Sequence, residues 1–209
     1  PRQVLFEDGE IAPSIPVCDH YCGVEDRMRK SLALQIDMGP VFDVTFDCED
    51  GAPVGGEAAH VRLVTDLLLS SENRFGRVGA RVHPFDHGAF ADDVETLVSR
   101  AGRRLSHLML PKPRHLQDVQ RAVAAIDDAA RRHGHLQAPP VHVLVETHGA
   151  LRDVFAIAAL PRIESVSFGL MDFVSAHRGA VPATAMSVQG QFEHPLVRRA
   201  KLEIAAACH

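Results

Sequence analysis

The sequence predicts an α/β fold, a (β/α)8 barrel of which about six βα units are present in this chain. Short apolar, β-branched runs alternate with longer stretches of helical period. The alternation repeats at roughly 30 residues, the length of a βαβ unit. Polar residues gather where the apolar runs end. Strands that alternate with helices pair in parallel, and the helices cover the faces of the sheet.

Each predicted strand is an apolar or β-branched run that stops at polar or turn-forming residues. In chain order, the runs are IPVC (15–18), VFDVTFDC (41–48), VGARV (78–82), HLML (107–110), VHVLV (141–145) and SVSFG (165–169).

Each predicted helix repeats apolar residues at intervals of three or four, which places them on one helix face. Pro161 stops the fifth helix, and Asp92 and Asp93 in the first turn of the third helix complement the helix dipole. In chain order, the helices cover residues 24–38, 57–69, 91–104, 116–132, 150–159 and 195–207.

Six βα units fit either an open doubly wound sheet or most of a closed barrel. No strand is followed by GxGxxG or GxxxxGK[ST], the fingerprints of nucleotide-binding open sheets. Strand ends in an open sheet of six strands spread over more than about 20 Å, whereas those of a barrel ring one mouth, where barrel enzymes hold their active sites. The barrel is favoured because it brings the polar strand-end residues together: Asp19, His20, Glu49, Asp50, Arg81, Lys112, Glu146 and Asp172.

The chain is expected to be a single domain over residues 1–209. An eight-fold barrel typically needs about 250 residues, so six units predict a barrel that is incomplete at its C-terminal end. The cysteines, which form no CxxC pair, are predicted as free thiols: Cys18, Cys22, Cys48 and Cys208.

Composition excludes several classes of protein. The net charge of −5 argues against a nucleic-acid partner, which requires a basic face. No apolar run approaches the roughly 20 residues that cross a bilayer, and the N-terminal sequence lacks the layout of a signal peptide. We therefore predict a cytoplasmic protein without a membrane partner.

Glu146 and Asp172 are the predicted metal ligands because each follows an apolar strand. Two carboxylates without a Cys or His set suit Mg²⁺, with Mn²⁺ as the alternative. Such an ion leaves coordination positions for substrate oxygens and stabilises an enolate. The alternative is a pair of solvated strand-end acids.

Arg81 interrupts an apolar strand, and its planar guanidinium suits a substrate carboxylate or α-keto acid. An internal salt bridge to Glu49 or Asp50 is the alternative, and both interpretations can hold together. The period of two along VFDVTFDCED indicates that one of Glu49 and Asp50 points into the mouth and the other outward, and leaves open which.

Lys112 lies between two prolines, where it could reach a thioester or carboxylate oxygen or pair with an acid. A lysine Schiff base, known in barrel aldolases, is the less favoured alternative because a metal pair makes it redundant. His20, His83 and His148 flank the same mouth, and each is a candidate general base.

Five strings in order resemble the HpcH/HpaI aldolase and citrate lyase family, whose fold is the phosphoenolpyruvate/pyruvate-binding barrel. VFDVTFDCEDGA resembles the family's "DLED" strand, RVHP its "vRvN" strand and LMLPKP its "lPK" strand. VLVETHGAL resembles its "iET" strand and SFGLMDF its "fGxxDl" strand. The order matches over about residues 15–175. The strand-one "PG" turn is replaced by Asp19-His20, and the sequence after Asp172 also departs from the family pattern, so the substrate can differ from the family's usual ones.

The resemblance implies Mg²⁺ ligation by Glu146 and Asp172, substrate binding by Arg81, and a site shaped by Glu49 and Asp50. We assign catalytic roles to Arg81, Glu49, Asp50 and Lys112, and substrate binding to Arg81, Asp19, His20 and Glu146.

The resemblance also implies a carbon–carbon lyase of the aldol or Claisen type, acting on a citryl-CoA- or malyl-CoA-like hydroxy acid. It implies a homo-oligomer, a trimer or hexamer. Two alternatives stay open: a metal-dependent pyruvate aldolase acting on a free hydroxy-keto acid, and a non-catalytic barrel that serves as an assembly or binding partner.

Overall fold

A computed structural model describes residues 19–209 and, for Asp19 and His20, the backbone alone. Within the described residues, six parallel strands form one sheet in the order β1-β2-β3-β4-β5-β6. The strands are β1 (Asp19–Cys22), β2 (Asp43–Asp47), β3 (Val78–Arg81), β4 (Leu108–Leu110), β5 (Val141–Val145) and β6 (Ile163–Phe168).

Helices connect the strands and cover the outer face of the sheet. They are α1 (Glu25–Met38), α2 (Glu57–Leu69), α3 (Phe90–Ala101), α4 (Leu116–Arg132), α5 (His148–Arg152), α6 (Val154–Ala158), α7 (Leu170–Ala176), α8 (Gly190–Glu193) and α9 (Pro195–Ala207), with a 3₁₀ turn at Ala183–Met186.

Each described strand from β2 to β6 pairs with the strand that precedes it in the chain. A doubly wound sheet reverses its strand order at a switch point, and this sheet does not. The predicted α/β class and the barrel-type strand order are therefore confirmed. In this order the carboxyl ends of neighbouring strands lie side by side along one edge of the sheet.

The two faces of the sheet differ in chemistry because alternate residues of a strand point to opposite faces. The outer face is apolar and packs against the helices in one core; its fully buried members include Val44, Phe46, Val78, Leu108 and Val143. The inner face carries buried polar side chains: Thr45, Asp47, Arg81, His107 and His142.

His107 lies on the inner face with both ring nitrogens in contact with hydroxyl groups. Nε2 is 2.9 Å from Thr45 Oγ1, and Nδ1 is 2.9 Å from Ser106 Oγ. The ring stacks on His142 with centroids 3.9 Å apart. A side chain at Gly79 would collide with the His107 ring, so glycine makes room for it. Burial, reinforced by His142, holds the pKa of His107 well below its usual value.

The prediction for the first strand needs correction. The predicted run 15–18 lies outside the described residues, and the strand in the structure is β1, Asp19–Cys22. Asp19 pairs in register with Asp43, at the start of β2. Asp19 and His20 therefore begin a strand instead of ending one, at the edge of the sheet opposite the predicted mouth. This backbone position argues against their predicted role in substrate binding.

The structure also differs from prediction after β5 and β6. Asp153 divides the predicted helix 150–159 into α5 and α6. The short helix α7 occupies residues predicted as a strand end and loop. Among the described residues, no helix is long and apolar enough to span a membrane. Cys48 and Cys208 are free thiols as predicted, Cys22 is buried, and Cys18 lies outside the described residues.

Candidate active site

Charged side chains from the ends of β2, β3, β4 and β5 and from α7 converge at the carboxyl edge of the sheet. The strand order explains this convergence, because each of these strand ends lies beside the next. The residues are Asp47, Glu49, Asp50, Arg81, Lys112, Glu146 and Asp172.

Arg81 is held by Asp47, its register partner on the neighbouring strand. Arg81 Nε donates to Asp47 Oδ1 at 2.7 Å, and Nη2 donates to Oδ2 at 2.5 Å. Burial lowers the pKa of Arg81, but the Asp47 carboxylate outweighs that effect and the net pKa is raised. The predicted internal salt bridge thus exists, with Asp47 as its main partner.

Asp47 is the functional residue that the sequence reasoning missed. It is 2% exposed, and the backbone N–H groups of Glu49 and Gly51 donate to Oδ1 and Oδ2 at 2.9 and 2.7 Å. A side chain at Gly51 would collide with the Asp47 carboxylate. The sequence contained a signal: with a period of two, Asp47 lies on the same face as Glu49, and an arginine stands in the middle of the next strand.

Glu49 points into the site and Asp50 points outward, which resolves the alternative that the sequence left open. The Glu49 side chain is 6% exposed, and that of Asp50 is 54% exposed. Glu49 Oε2 lies 3.3 Å from Arg81 Nη1 and accepts no hydrogen bond from any described residue. Both acids nevertheless contact Lys112.

Lys112 joins the two halves of the site. Its Nζ donates to Glu49 Oε1 and, at 2.7 Å, to Asp50 Oδ2, and it lies 3.8 Å from Asp172 Oδ2. Burial lowers the pKa of Lys112, but the hydrogen bonds to Asp50 and Glu49 outweigh it and the net pKa is raised. The ammonium group therefore stays charged and paired.

The backbone of Lys112 is left-handed, with φ at 50°. This turn follows β4 directly, and the Lys112 N–H donates to Glu146 Oε1 at 2.8 Å. The Lys112 N–H, which follows β4, thereby fixes the Glu146 carboxylate at the end of β5.

Glu146 is 2% exposed. A side chain at Gly169 would collide with Glu146 Oε2, so this glycine leaves space for the carboxylate. Burial, reinforced by the charge of Asp172, raises the pKa of Glu146 to about 8. A cation bound beside Glu146 would oppose that rise.

Asp172 was predicted to follow β6 directly, but it lies in the first turn of α7. Its side chain is 40% exposed. A cleft of about 340 Å³ brings Glu146 and Asp172 together. It is lined by Pro84, Asp86, Lys112, Arg114, Glu146, Thr147, Asp172, Ser175 and Ala176.

A second cleft of about 400 Å³ lies on the other side of Lys112 and Pro84, which line both. Glu49, Asp50, His83 and His87 also line it. Of the three candidate histidines, His83 is thus brought to the site. His148 packs against His177, with ring centroids 3.7 Å apart, and lines neither cleft.

The donor set at Glu146 and Asp172 fits Mg²⁺. Within the described part of the chain, no group of three or more His, Cys, Asp or Glu side chains is arranged to hold a metal ion. Mg²⁺ does not require one, because it is usually held by one or two carboxylates together with waters and substrate oxygens. The glycine beside Glu146 and the partly exposed Asp172 carboxylate are consistent with that mode of binding.

Comparison with known proteins decides the family. The family model for HpcH/HpaI aldolase/citrate lyase matches residues 29–208, which is most of the chain. This chain belongs to the HpcH/HpaI aldolase/citrate lyase family. The predicted membership is confirmed.

A crystal structure of a citrate lyase from Burkholderia xenovorans is 58% identical, with a TM-score of 0.91 over 96% of this chain and 62% of that one. An L-malyl-CoA/beta-methylmalyl-CoA lyase from Cereibacter sphaeroides is 29% identical over 63% of this chain and 42% of its own length. The family member described here thus spans less than two thirds of either relative.

The citrate lyase beta subunit from Mycobacterium tuberculosis, solved with oxaloacetate and magnesium, is 21% identical, with a TM-score of 0.66. It covers 92% of this chain and 73% of its own. At 21% identity, this similarity shows that the two proteins share a fold.

Proposed function

We propose that this chain forms the active site of a Mg²⁺-dependent carbon–carbon lyase, which cleaves or condenses a hydroxy acyl-CoA of the citryl-CoA or malyl-CoA type. The observation that carries the proposal is the arrangement around Lys112: Glu146 and Asp172 share a cleft on one side, and Glu49 and Arg81 lie on the other. Relatives named as citrate lyase and malyl-CoA lyase support the reaction class.

Glu146 and Asp172 would hold the metal ion. Bound there, Mg²⁺ would supply positive charge that orients and polarises the oxygens of the substrate's oxo-acid half. Mn²⁺ stays the predicted alternative.

Arg81 and Lys112 supply fixed positive charge for an anionic substrate. Asp47 occupies Nε and Nη2 of Arg81, so Nη1 is the edge that faces Glu49 and the site. Because four donors satisfy Asp47, Arg81 is oriented before substrate arrives and loses little freedom on binding. Lys112 is the charged residue that lines both clefts, where it can pair with a substrate carboxylate or thioester oxygen.

The experiment compares metal binding and cleavage in matched variants of the full chain. Isothermal titration should show Mg²⁺ binding to wild type, weakened about 10-fold or more in Glu146→Gln and Asp172→Asn. Asp92→Asn, which removes an exposed acid from α3, is the control and should bind as wild type does. If Glu146→Gln retains both Mg²⁺ binding and cleavage, the proposal fails.

The substrate class is tested by measuring release of the oxo-acid product from three compounds. Citryl-CoA and malyl-CoA should be cleaved, and a free 4-hydroxy-2-oxo acid should react more slowly. Cleavage of the free acid alone would instead support the pyruvate aldolase. Metal binding without cleavage of any of them would support the non-catalytic barrel.

The homo-oligomer (a trimer or hexamer), the cytoplasmic location and the absence of a nucleic-acid partner stay predictions. Analytical ultracentrifugation of the full chain tests the first of these, and a monomer at micromolar concentration would contradict it.

A further inference from the structure

The second cleft contains a histidine–carboxylate pair that the proposed metal site does not use. His83 Nδ1 lies 2.7 Å from Asp93 Oδ2, and the same oxygen accepts the His83 backbone N–H at 2.9 Å. Asp93 is 1% exposed, and His83 is 8% exposed. The pair thus links the end of β3 to the first turn of α3 in a buried setting.

The hydrogen bonds determine which ring nitrogen can act on a ligand. A backbone N–H only donates, so Asp93 Oδ2 is an acceptor, and the matching arrangement has a proton on His83 Nδ1. Nε2, on the far side of the ring, is then unprotonated. Nε2 forms no hydrogen bond with any described residue, and His83 lines the cleft.

Other contacts restrict the ring further. His87 stacks on His83 with centroids 4.4 Å apart and an interplanar angle of 11°. With one face covered and one edge bound to Asp93, the imidazole is held in a single orientation. A base held by a buried carboxylate in this way is pre-organised for proton transfer.

The position of the pair relative to the metal ligands suits a substrate that spans both clefts. Lys112 and Pro84 line both, so the two clefts adjoin. A hydroxy acid whose carboxylate is held near Glu146 and Asp172 would extend past Lys112 and bring its hydroxyl group, with the thioester beyond it, towards His83.

We propose that His83, oriented by Asp93, is the catalytic acid–base of this site; the inference rests on the proposed lyase function. In the cleavage direction, Nε2 accepts the proton of the substrate hydroxyl, and the C–C bond breaks as the hydroxyl carbon becomes a carbonyl. The bonding electron pair forms the thioester enolate. The enolate carbon then takes the proton from Nε2, which leaves His83 as it began. Condensation follows the reverse order.

Kinetics of the full chain with the cleaved acyl-CoA substrate test this role. We expect His83→Asn to lower kcat by about 100-fold or more, the usual contribution of a general acid–base, with KM and Mg²⁺ affinity within about threefold of wild type. His133→Asn is the control, because His133 pairs with Glu95 on the surface, away from both clefts. It should leave kcat unchanged.

Two further readouts separate catalysis from a structural role. Added imidazole should restore part of the activity of His83→Ala and none of that of Glu146→Gln. The acid limb of the kcat/KM profile of wild type should be absent from His83→Asn. The groups whose charge bears on that limb are Asp93 from α3, His87 from the loop before it, Glu57 from α2, and Glu49, Asp50 and Lys112 across the cleft.

The outcomes distinguish the two proposals. If wild type cleaves the substrate and His83→Asn keeps kcat within about threefold of it, this inference is wrong and the lyase proposal stands. If wild type cleaves none of the compounds, both proposals fail. Long-range ¹H–¹⁵N NMR of the ring gives a test without turnover: the proton should reside on Nδ1, and a proton on Nε2 alone at neutral pH would overturn the inference.

Discussion

Asp47 and Arg81 lie opposite each other on neighbouring strands, and both carboxylate oxygens of Asp47 accept hydrogen bonds from the Arg81 guanidinium. The side chains are 3% and 11% exposed. Because the pair is enclosed, each charge depends on the other to offset the cost of leaving water.

Asp47→Asn should lower the free energy of unfolding by about 3–5 kcal/mol, since it leaves a buried guanidinium without its counter-charge. Urea denaturation followed by circular dichroism measures it. Asp43→Asn is the control, because Asp43 on β2 pairs with Arg77, the residue directly before β3, but Arg77 is 31% exposed. A loss no larger for Asp47→Asn than for Asp43→Asn would contradict the prediction.

Gly169→Ala should weaken Mg²⁺ binding by about 10-fold or more, the usual effect of disturbing a ligand's supporting shell. The new methyl group would occupy the space of Glu146 Oε2 and displace the carboxylate. Isothermal titration measures the change. Gly88→Ala is the matched control, because a side chain there meets no atom within 4 Å. Equal affinity in the two variants would show that Gly169 does not position Glu146.

Lys112→Met should strengthen Mg²⁺ binding while it weakens substrate binding. The ammonium lies 3.8 Å from Asp172 Oδ2, and unit charges at about 4 Å interact by about 1 kcal/mol even in bulk water, which is about fivefold in affinity. Titration at low and high salt measures the effect, which should shrink at high salt. Lys30→Met, at an exposed position on α1, should change neither quantity. Weaker Mg²⁺ binding in Lys112→Met would refute the electrostatic argument.

The low pKa of His107 predicts that the protein loses stability in mild acid. Its pKa in the folded protein is held well below the unfolded value of about 6.5. As pH falls below about 6.5, His107 therefore binds a proton in the unfolded chain but not in the folded protein. Below about pH 6.5, proton binding by His107 in the unfolded chain should lower the free energy of unfolding by up to about 1.4 kcal/mol per pH unit. Above about pH 6.5, this loss is absent.

Denaturation of His107→Gln at several pH values between about 5 and 8 checks the prediction. The variant should show a shallower slope than wild type, whereas His133→Gln, which alters an exposed histidine, should keep the wild-type slope. An unchanged slope in His107→Gln would mean that another group is responsible.

The sequence predicted elements best where local signals and tertiary packing agree. The helices Glu57–Leu69 and Leu116–Arg132 and the strand Val141–Val145 have their predicted bounds. Their apolar spacing is regular, and their ends coincide with glycine, proline or polar residues. Glu146 and Lys112 likewise follow their strands as expected.

What escaped prediction depends on pairing between strands. The bounds of β1 are set by its register with β2, and the residues of β1, DHYC, carry no apolar run. Asp47 looked like one polar residue within an alternating strand, and its role emerges only when Arg81 lies opposite. The partner of His83, ten residues further along, is likewise brought to it by the packing of α3 against β3.

The left-handed backbone at Lys112 bears on how this site could evolve. Asparagine, one base change away from lysine, tolerates that conformation better than most residues. A mutation to asparagine would preserve the N–H that holds Glu146 while it removes the ammonium group from between Glu49 and Asp172. A single mutation could therefore remove the catalytic charge and keep the Glu146 carboxylate in place. The identity of residue 112 is thus a marker that separates lyases from metal-binding paralogues.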